Sequence, residues 1–442
     1  ESSVNGSGGT YVAYIFAHND GDGTFGPNDD QDIIKCGSYT GNGSSQEINI
    51  GFEPQWIMVK NTSNSADWVI FDEMRNFIVS KSGNMDSTKL SPNTTTVEQA
   101  MARMGPHPTG IMFDSENGSV VNTSGNTYIY MAIRRGPLAP PEAGTEVFGL
   151  QDYSGTPSSG PTTGFVTDFA LLGQRANSDK WYAGSRFQGT KYLDTSTTAA
   201  ENSQANQVWD RMDGAWNGNV SSYMLWGWKR APSFFDVVAY TGNGTAGRTV
   251  SHNLTVAPEM IWVKNRSRGR SWVVYHTATG NTGYFKLNSG VGLNTSAPQD
   301  RFGNGTVGVS PTASNFTVAV NQDVNYSGDT YISYLFASLP GISKVGSYTG
   351  TGNTLNIDCG FTSGARFVLI KNTNGGNWYV YDTARGIVPG NDPALELNTT
   401  SAEDNQYDSI DPYSAGFTLT AYSGSSPALN EPSEPFIFYA IA

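Results

Sequence analysis

The sequence predicts an all-β protein, built as an antiparallel sandwich or barrel that recurs in four tandem units. Three observations predict it. Short runs rich in Val, Ile, Tyr, Trp and Phe are separated, about every ten residues, by Gly/Asn/Ser/Thr turns. No stretch carries the 3.6-residue apolar period of a long amphipathic helix. The same blocks recur along the chain. Gly37-Ser38-Tyr39-Thr40-Gly41 reappears as Gly346-Ser347-Tyr348-Thr349-Gly350, with a third copy at Tyr240-Thr241-Gly242 and a weaker one at Tyr153-Ser154-Gly155.

Composition supports several cores. Among 442 residues there are 10 Trp, 22 Tyr and 21 Phe, too many large apolar groups for a disordered chain. A net charge of −13 offers no electrostatic footprint for nucleic acid, and no apolar run approaches a bilayer span. The first residues, Glu-Ser-Ser, include neither an initiator Met nor a signal-peptide core, as expected of a processed product or a fragment. The two cysteines, Cys36 and Cys359, occupy non-equivalent places in different repeats and read as independent thiols.

The elements follow in order. Residues 1–32 hold an orphan strand and an acidic loop. The strand, Tyr11-Val12-Ala13-Tyr14-Ile15-Phe16, copies the strand that closes every unit but has no body before it. It reads as the stub of an upstream unit, with a donor strand added to a neighbouring chain's sheet as the second reading. In the loop, Asp20, Asp22, Asp29, Asp30 and Asp32 alternate with glycines, an oxygen-rich wrap suited to Ca2+. It is not an EF-hand, lacking the glycine at the sixth position and the closing glutamate, and a solvated acidic linker is the plainer reading.

Unit 1 covers 33–135. Its Lys-Asn strand Trp56-Ile57-Met58-Val59-Lys60-Asn61 leads through a polar turn to Trp68, then to Leu90, and it closes on Tyr128-Ile129-Tyr130-Met131. A stiff proline-rich linker, 136–146, precedes unit 2, 147–230. Unit 2 diverges, with Gly173-Gln174-Arg175 where units 1, 3 and 4 have Lys60-Asn61, Lys264-Asn265 and Lys371-Asn372. Unit 3 spans 231–337 and unit 4 spans 338–442, joined by short segments, so that the last three units are expected to form a rigid rod. Trp181, Trp272 and Trp378 match Trp68. They read as core residues at the heads of strands, although an aromatic face also suits a pyranose. Each Lys-Asn pair reads as a strand end turning, because Asn tolerates left-handed geometry. Thr95-x-x-Glu98, Thr198-x-x-Glu201, Thr400-x-x-Glu403 and Ser296-x-x-Gln299 match the capping box and predict one short helical turn per unit.

No catalytic residues are assigned. The four histidines share no position between units, and no nucleophile elbow, zinc helix or phosphate loop occurs. The adjacent pairs Asp72-Glu73 and Glu403-Asp404 point to opposite faces of a strand and cannot jointly flank a bond.

The Ser-Tyr-Thr-Gly-Asn-Gly opening (Ser38 to Gly43), the Pro-x-x-[Ile/Met]-x-Val-Lys-Asn strand (Pro54 to Asn61 and Pro258 to Asn265) and the Thr-Tyr-Ile closing strand (Thr127 to Ile129 and Thr330 to Ile332) resemble the tandem β-sandwich repeats of marine bacteriophage tail-fibre and virion structural proteins. The Asp20–Gly26 segment belongs to the same resemblance. It implies a concanavalin-like jelly roll in each unit and a role in building or displaying a virion appendage; it defines no site residues. The functional expectation is a non-enzymatic extracellular or virion structural protein that associates with itself or with other virion proteins. A glycan-binding adhesin, assisted by Ca2+, is the alternative, and a polysaccharide-degrading enzyme the third reading. No cofactor other than Ca2+, no nucleic acid and no membrane insertion is expected.

Overall fold

A computed structural model describes the chain except residues 1–3, 5, 19–24, 80–86, 101–103, 115–119, 154–161, 204–208, 210–211, 215–221 and 425–426. The described residues form antiparallel sheets with a few one-turn 3-10 segments between them, and no helix among them is long and apolar enough to cross a membrane.

Four large sheets repeat one strand order. In unit 1 the opening strand Ile34–Thr40 pairs with the closing strand Thr127–Arg134. The closing strand pairs in turn with the Lys-Asn strand Pro54–Asn61, and that strand with the Trp strand Trp68–Asp72. In the same order, unit 2 uses Phe148–Tyr153, Tyr223–Trp228, Phe169–Gln174 and Tyr182–Ser185. Unit 3 uses Phe235–Thr241, Thr330–Phe336, Met260–Asn265 and Val273–His276. Unit 4 uses Ser343–Thr349, Pro435–Ile441, Phe367–Asn372 and Trp378–Asp382.

The recurring opening motif is a packing device. Tyr39, Tyr240 and Tyr348 each donate a hydroxyl to a carbonyl across the unit, those of Val121, Val324 and Leu429, at 2.6–2.7 Å. The glycine two residues later lets two backbones touch: a Cβ at Gly242 would lie 2.1 Å from the Tyr326 carbonyl, and Gly41 and Gly350 sit in equivalent contacts. Alternate strand positions then build a core against a smaller sheet. In unit 3, Val238, Tyr240, Ile261 and Val263 meet Val250, Phe316 and Val318. Units 1 and 4 have the corresponding cores, and unit 2 a smaller one around Leu172, Tyr192 and Trp209.

The other faces of sheets 2, 3 and 4 do not point to solvent. They meet in one joint core that holds Trp181, Trp226 and Trp228 of unit 2, Trp262, Trp272 and Tyr334 of unit 3, and Trp378, Leu397 and Tyr439 of unit 4. The three units therefore close a ring and do not form the expected rod. Three equivalent indoles latch it. Trp272 Nε1 donates to the Asp194 carbonyl of unit 2 at 2.9 Å, Trp378 Nε1 to Lys286 of unit 3 at 3.1 Å, and Trp181 Nε1 to Glu396 of unit 4 at 3.1 Å. Each accepting carbonyl lies beside the leucine that recurs in every unit. Trp181, Trp272 and Trp378 are core residues, as their position at strand heads predicts, but the core they fill belongs to three units together, and Trp68 of unit 1 is only half-buried.

Two local expectations fail for identifiable reasons. The capping boxes give a helical turn only in unit 3, at Pro298–Asp300. In units 2 and 4 the glutamates pair with a neighbouring unit instead: Glu201 with Arg266 at 2.9 Å, and Glu403 with Arg175 at 3.1 Å. The asparagines of the Lys-Asn pairs are not left-handed. Their side chains hold the turn directly, Asn265 Oδ1 accepting from the Ser267 and Arg268 amides at 2.9 Å. Lys264, fully buried, donates to three carbonyls, those of Thr198, Asn265 and Arg270. Unit 2 has Gly173 at that position because the Trp181 ring occupies the space, 2.7 Å from where a Cβ would sit. Cys36 and Cys359 are free thiols.

Candidate functional site

Unit 1 docks on this ring through charge. Arg230, which follows the closing strand of unit 2, is held by unit 1 and unit 3 together. Its guanidinium forms a two-pronged pair with Glu53 at 2.7 and 2.6 Å and reaches Asp236 at 2.6 Å. All three side chains are at most 3% exposed. The geometry is bidentate, the arrangement that best offsets the desolvation of buried charge. Burial pushes the Asp236 carboxyl up, but Arg230 and the Asn253 amide outweigh it and hold the group below the usual carboxylate range. Asp168 of unit 2 accepts from the Arg230 amide at 2.6 Å and from Arg135 Nη2 of unit 1 at 3.0 Å. Arg135 Nε then reaches Glu73 at 3.2 Å.

Beside this network an open cleft of about 460 Å3 separates units 1 and 2, lined by Trp56, Asp72, Glu73, Arg135, Asp168 and Lys229 among others. Burial pushes the Glu73 carboxyl up to about 7, against the pull of Arg135 and reinforced by the negative charges of Glu53 and Asp168. Glu73 is thus half-protonated near neutral pH. A proton donor, two further carboxylates and a half-buried indole are what a hydroxyl-rich ligand would meet here. The carboxylates are engaged, however. Asp72 caps the turn at Glu73–Arg75, accepting from the Met74 and Arg75 amides at 3.1 and 3.0 Å, and Asp168 is pinned by arginine and amide hydrogen bonds. A nucleophile or general base needs an oxygen free to meet substrate; the oxygens of Asp72 are taken up within unit 1, by Met74 and Arg75, and Asp168 joins units 1 and 2.

The titration has a readable consequence. A carboxyl raised from 4.5 to about 7 on folding contributes its full stability below pH 4.5, and that contribution is lost as pH rises through 7. Glu73→Gln removes this dependence. The variant is expected to match the parent near pH 4 and to exceed it by about 3 kcal/mol at pH 8 in urea unfolding.

The sequence-derived candidates lie elsewhere. Asp29 and Asp30 are exposed and Asp32 is half-buried, while Asp20 and Asp22 fall outside the described residues. Among the described residues no group of three His, Cys, Asp or Glu side chains is placed to hold a metal. Tyr11, Val12, Ala13, Tyr14, Ile15 and Phe16 run as exposed chain without strand pairing. Nearby, His18 Nδ1 accepts from the Cys36 amide at 3.0 Å, on the opening strand of unit 1. The junction residues Glu53, Glu73, Arg135, Asp168, Arg230 and Asp236 were not legible in advance, because partners up to 177 positions apart share no local spacing. The one available signal was a basic pair ending units 1 and 2, Arg134-Arg135 and Lys229-Arg230.

The model of a family described as a domain of unknown function (DUF7483) matches residues 1–137 and 145–442. The gap between the two matches falls in the proline-rich linker. No curated protein matches the sequence.

Proposed function

The chain belongs to the DUF7483 family, and on that premise we propose that it is a non-enzymatic structural repeat protein of an extracellular or virion appendage, one that assembles with itself. Its four units are read as tandem jelly-roll sandwiches with the boundaries 33–135, 147–230, 231–337 and 338–442. The observation that carries the proposal is the use of the recurring residues. The indoles of Trp181, Trp272 and Trp378, the tyrosines of the opening motif and the acid–arginine pairs all join segments of the fold to one another. The resemblance of the repeats to those of phage virion proteins is what supports a virion as the carrier of the appendage.

One observation favours a second reading, glycan binding in the cleft between units 1 and 2: Trp56 is only half-buried there, beside Asp72 and Lys229. Both readings are tested by displaying the full chain on beads, where avidity amplifies weak sugar binding. The beads are offered surface polysaccharides with Ca2+ or with EDTA, and reducing ends are assayed. The structural reading expects neither retention nor new reducing ends. Retention abolished by Trp56→Ala would establish the glycan reading; retention lost in EDTA would point to the Asp20–Asp32 loop; new reducing ends would make the chain an enzyme.

A further inference from the structure

We infer that the outer face of the unit 1 sheet is an assembly surface. There, two further copies of this chain complete the same three-sheet core that units 2, 3 and 4 complete within one chain. The inference deepens the self-assembling reading above and rests on it.

Register defines the face. Lys60 pairs with Ile129 as Lys264 pairs with Ile332, so positions in units 1 and 3 correspond one to one. In unit 3 the side chains facing the ring include Met260, Trp262, Trp272, Val274, Ile332 and Tyr334, all buried in the joint core. Their counterparts in unit 1 are Trp56, Met58, Trp68, Ile70, Ile129 and Met131. Every one is apolar, yet none is fully buried, and Ile129 in the central strand is 40% exposed. An antiparallel sheet with one face in water carries polar residues on that face. On its closing, Lys-Asn and Trp strands unit 1 instead keeps the composition of a buried face, with Cys36 and Ser38 beside them on the opening strand, and among the described residues the cover is absent.

Both halves of the ring's latch are also present in unit 1. The Trp68 amide donates to Asn93 Oδ1 at 3.0 Å, as the Trp272 amide donates to Asn288 Oδ1 at 2.9 Å, so the two indoles start from the same anchoring. In the ring the indole N–H reaches a carbonyl beside the recurring leucine of the next unit. Trp68 makes no such bond among the described residues, while unit 1 retains its own leucine segment, Lys89-Leu90. This matches a heterologous interface, in which each copy gives a donor to one neighbour and an acceptor to the other and the set closes by rotation. Units 2, 3 and 4 show that the rotation closes at three. Docking does not use up the face. Among the described residues only Val79 and Met112 of unit 1 enter the joint core, the charged junction draws on Glu53, Glu73 and Arg135, and of the six Trp56 alone borders the cleft to unit 2.

The test is the mass of the full chain in solution by light scattering and sedimentation. The expected result is three times the 47.5 kDa chain. Met58→Glu combined with Ile129→Glu is expected to give a monomer with unchanged circular dichroism, because neither side chain belongs to the inner core of unit 1, and with an unfolding midpoint that no longer rises with chain concentration. Trp68→Phe, which keeps the ring and removes the donor, is expected to shift the trimer–monomer balance toward monomer. A parent chain that is monomeric or dimeric across the micromolar range would overturn the inference, as would a double variant that stays trimeric. Its failure is separable from that of the structural reading: a dimeric parent removes the three-copy closure and leaves self-assembly standing, whereas polysaccharide binding or cleavage removes the structural role whatever the mass.

Discussion

Arg230→Met is expected to lower stability by about 3–5 kcal/mol, read as a fall in the urea midpoint. The size follows from what is left behind. Arg230 serves Glu53 and Asp236 at once, and both carboxylates lie at most 3% exposed, so removing the guanidinium strands two charges with no water to replace it. A surface pair cut in the same way costs about 1 kcal/mol or less. The loss should also be directional. Glu53 belongs to unit 1, so the variant is expected to release unit 1 from the ring and to make residues near the cleft susceptible to protease before the ring itself unfolds. Arg230→Met paired with Glu53→Gln should recover part of the loss, because the second change removes one stranded charge. A variant as stable as the parent would show that the network is incidental to docking.

Trp272→Ala is expected to cost about 3–5 kcal/mol through the cavity left by a fully buried indole. A further ~1 kcal/mol comes from the Asp194 carbonyl that loses its donor. The comparison that gives this meaning is Trp68→Ala. The two tryptophans occupy equivalent positions at the heads of equivalent strands, but Trp68 is only half-buried within one chain. In a chain held dissociated by Met58→Glu and Ile129→Glu, Trp68→Ala should therefore cost much less than Trp272→Ala. Equal costs would mean that each tryptophan acts within its own unit and not across the ring.

Much of the fold was legible because its signals are local. The aromatic and aliphatic run Tyr331-Ile332-Ser333-Tyr334-Leu335-Phe336 identifies a strand whatever surrounds it, and the recurrence of Tyr-Thr-Gly marks the same tight contact in units 1, 3 and 4. The ring was not legible. A strand such as Met260–Asn265, buried on both faces, shows a continuous apolar run, and that run does not say whether the second face meets its own unit or another. Glu201 and Glu403 show the same limit from the polar side: three residues after a threonine they fit a cap, and only the approach of Arg266 and Arg175 from other units reassigns them. The cleft beside Glu73 is a product of how units 1 and 2 meet, so neither sequence alone foreshadows it. The divergence at Gly173-Gln174-Arg175 was visible, and its cause was the Trp181 ring lying over the glycine.

In each large sheet the strand made last in the unit is the one placed between the opening strand and the Lys-Asn strand. For a chain emerging from the ribosome this order has a cost. Until residues 435–441 are synthesised, the fourth sheet is two separate pieces, and the indoles and phenyl rings of the second and third sheets lack their third wall. Nascent chains of this protein should therefore carry an adhesive apolar surface throughout translation of the final unit and should need chaperone shelter over that interval.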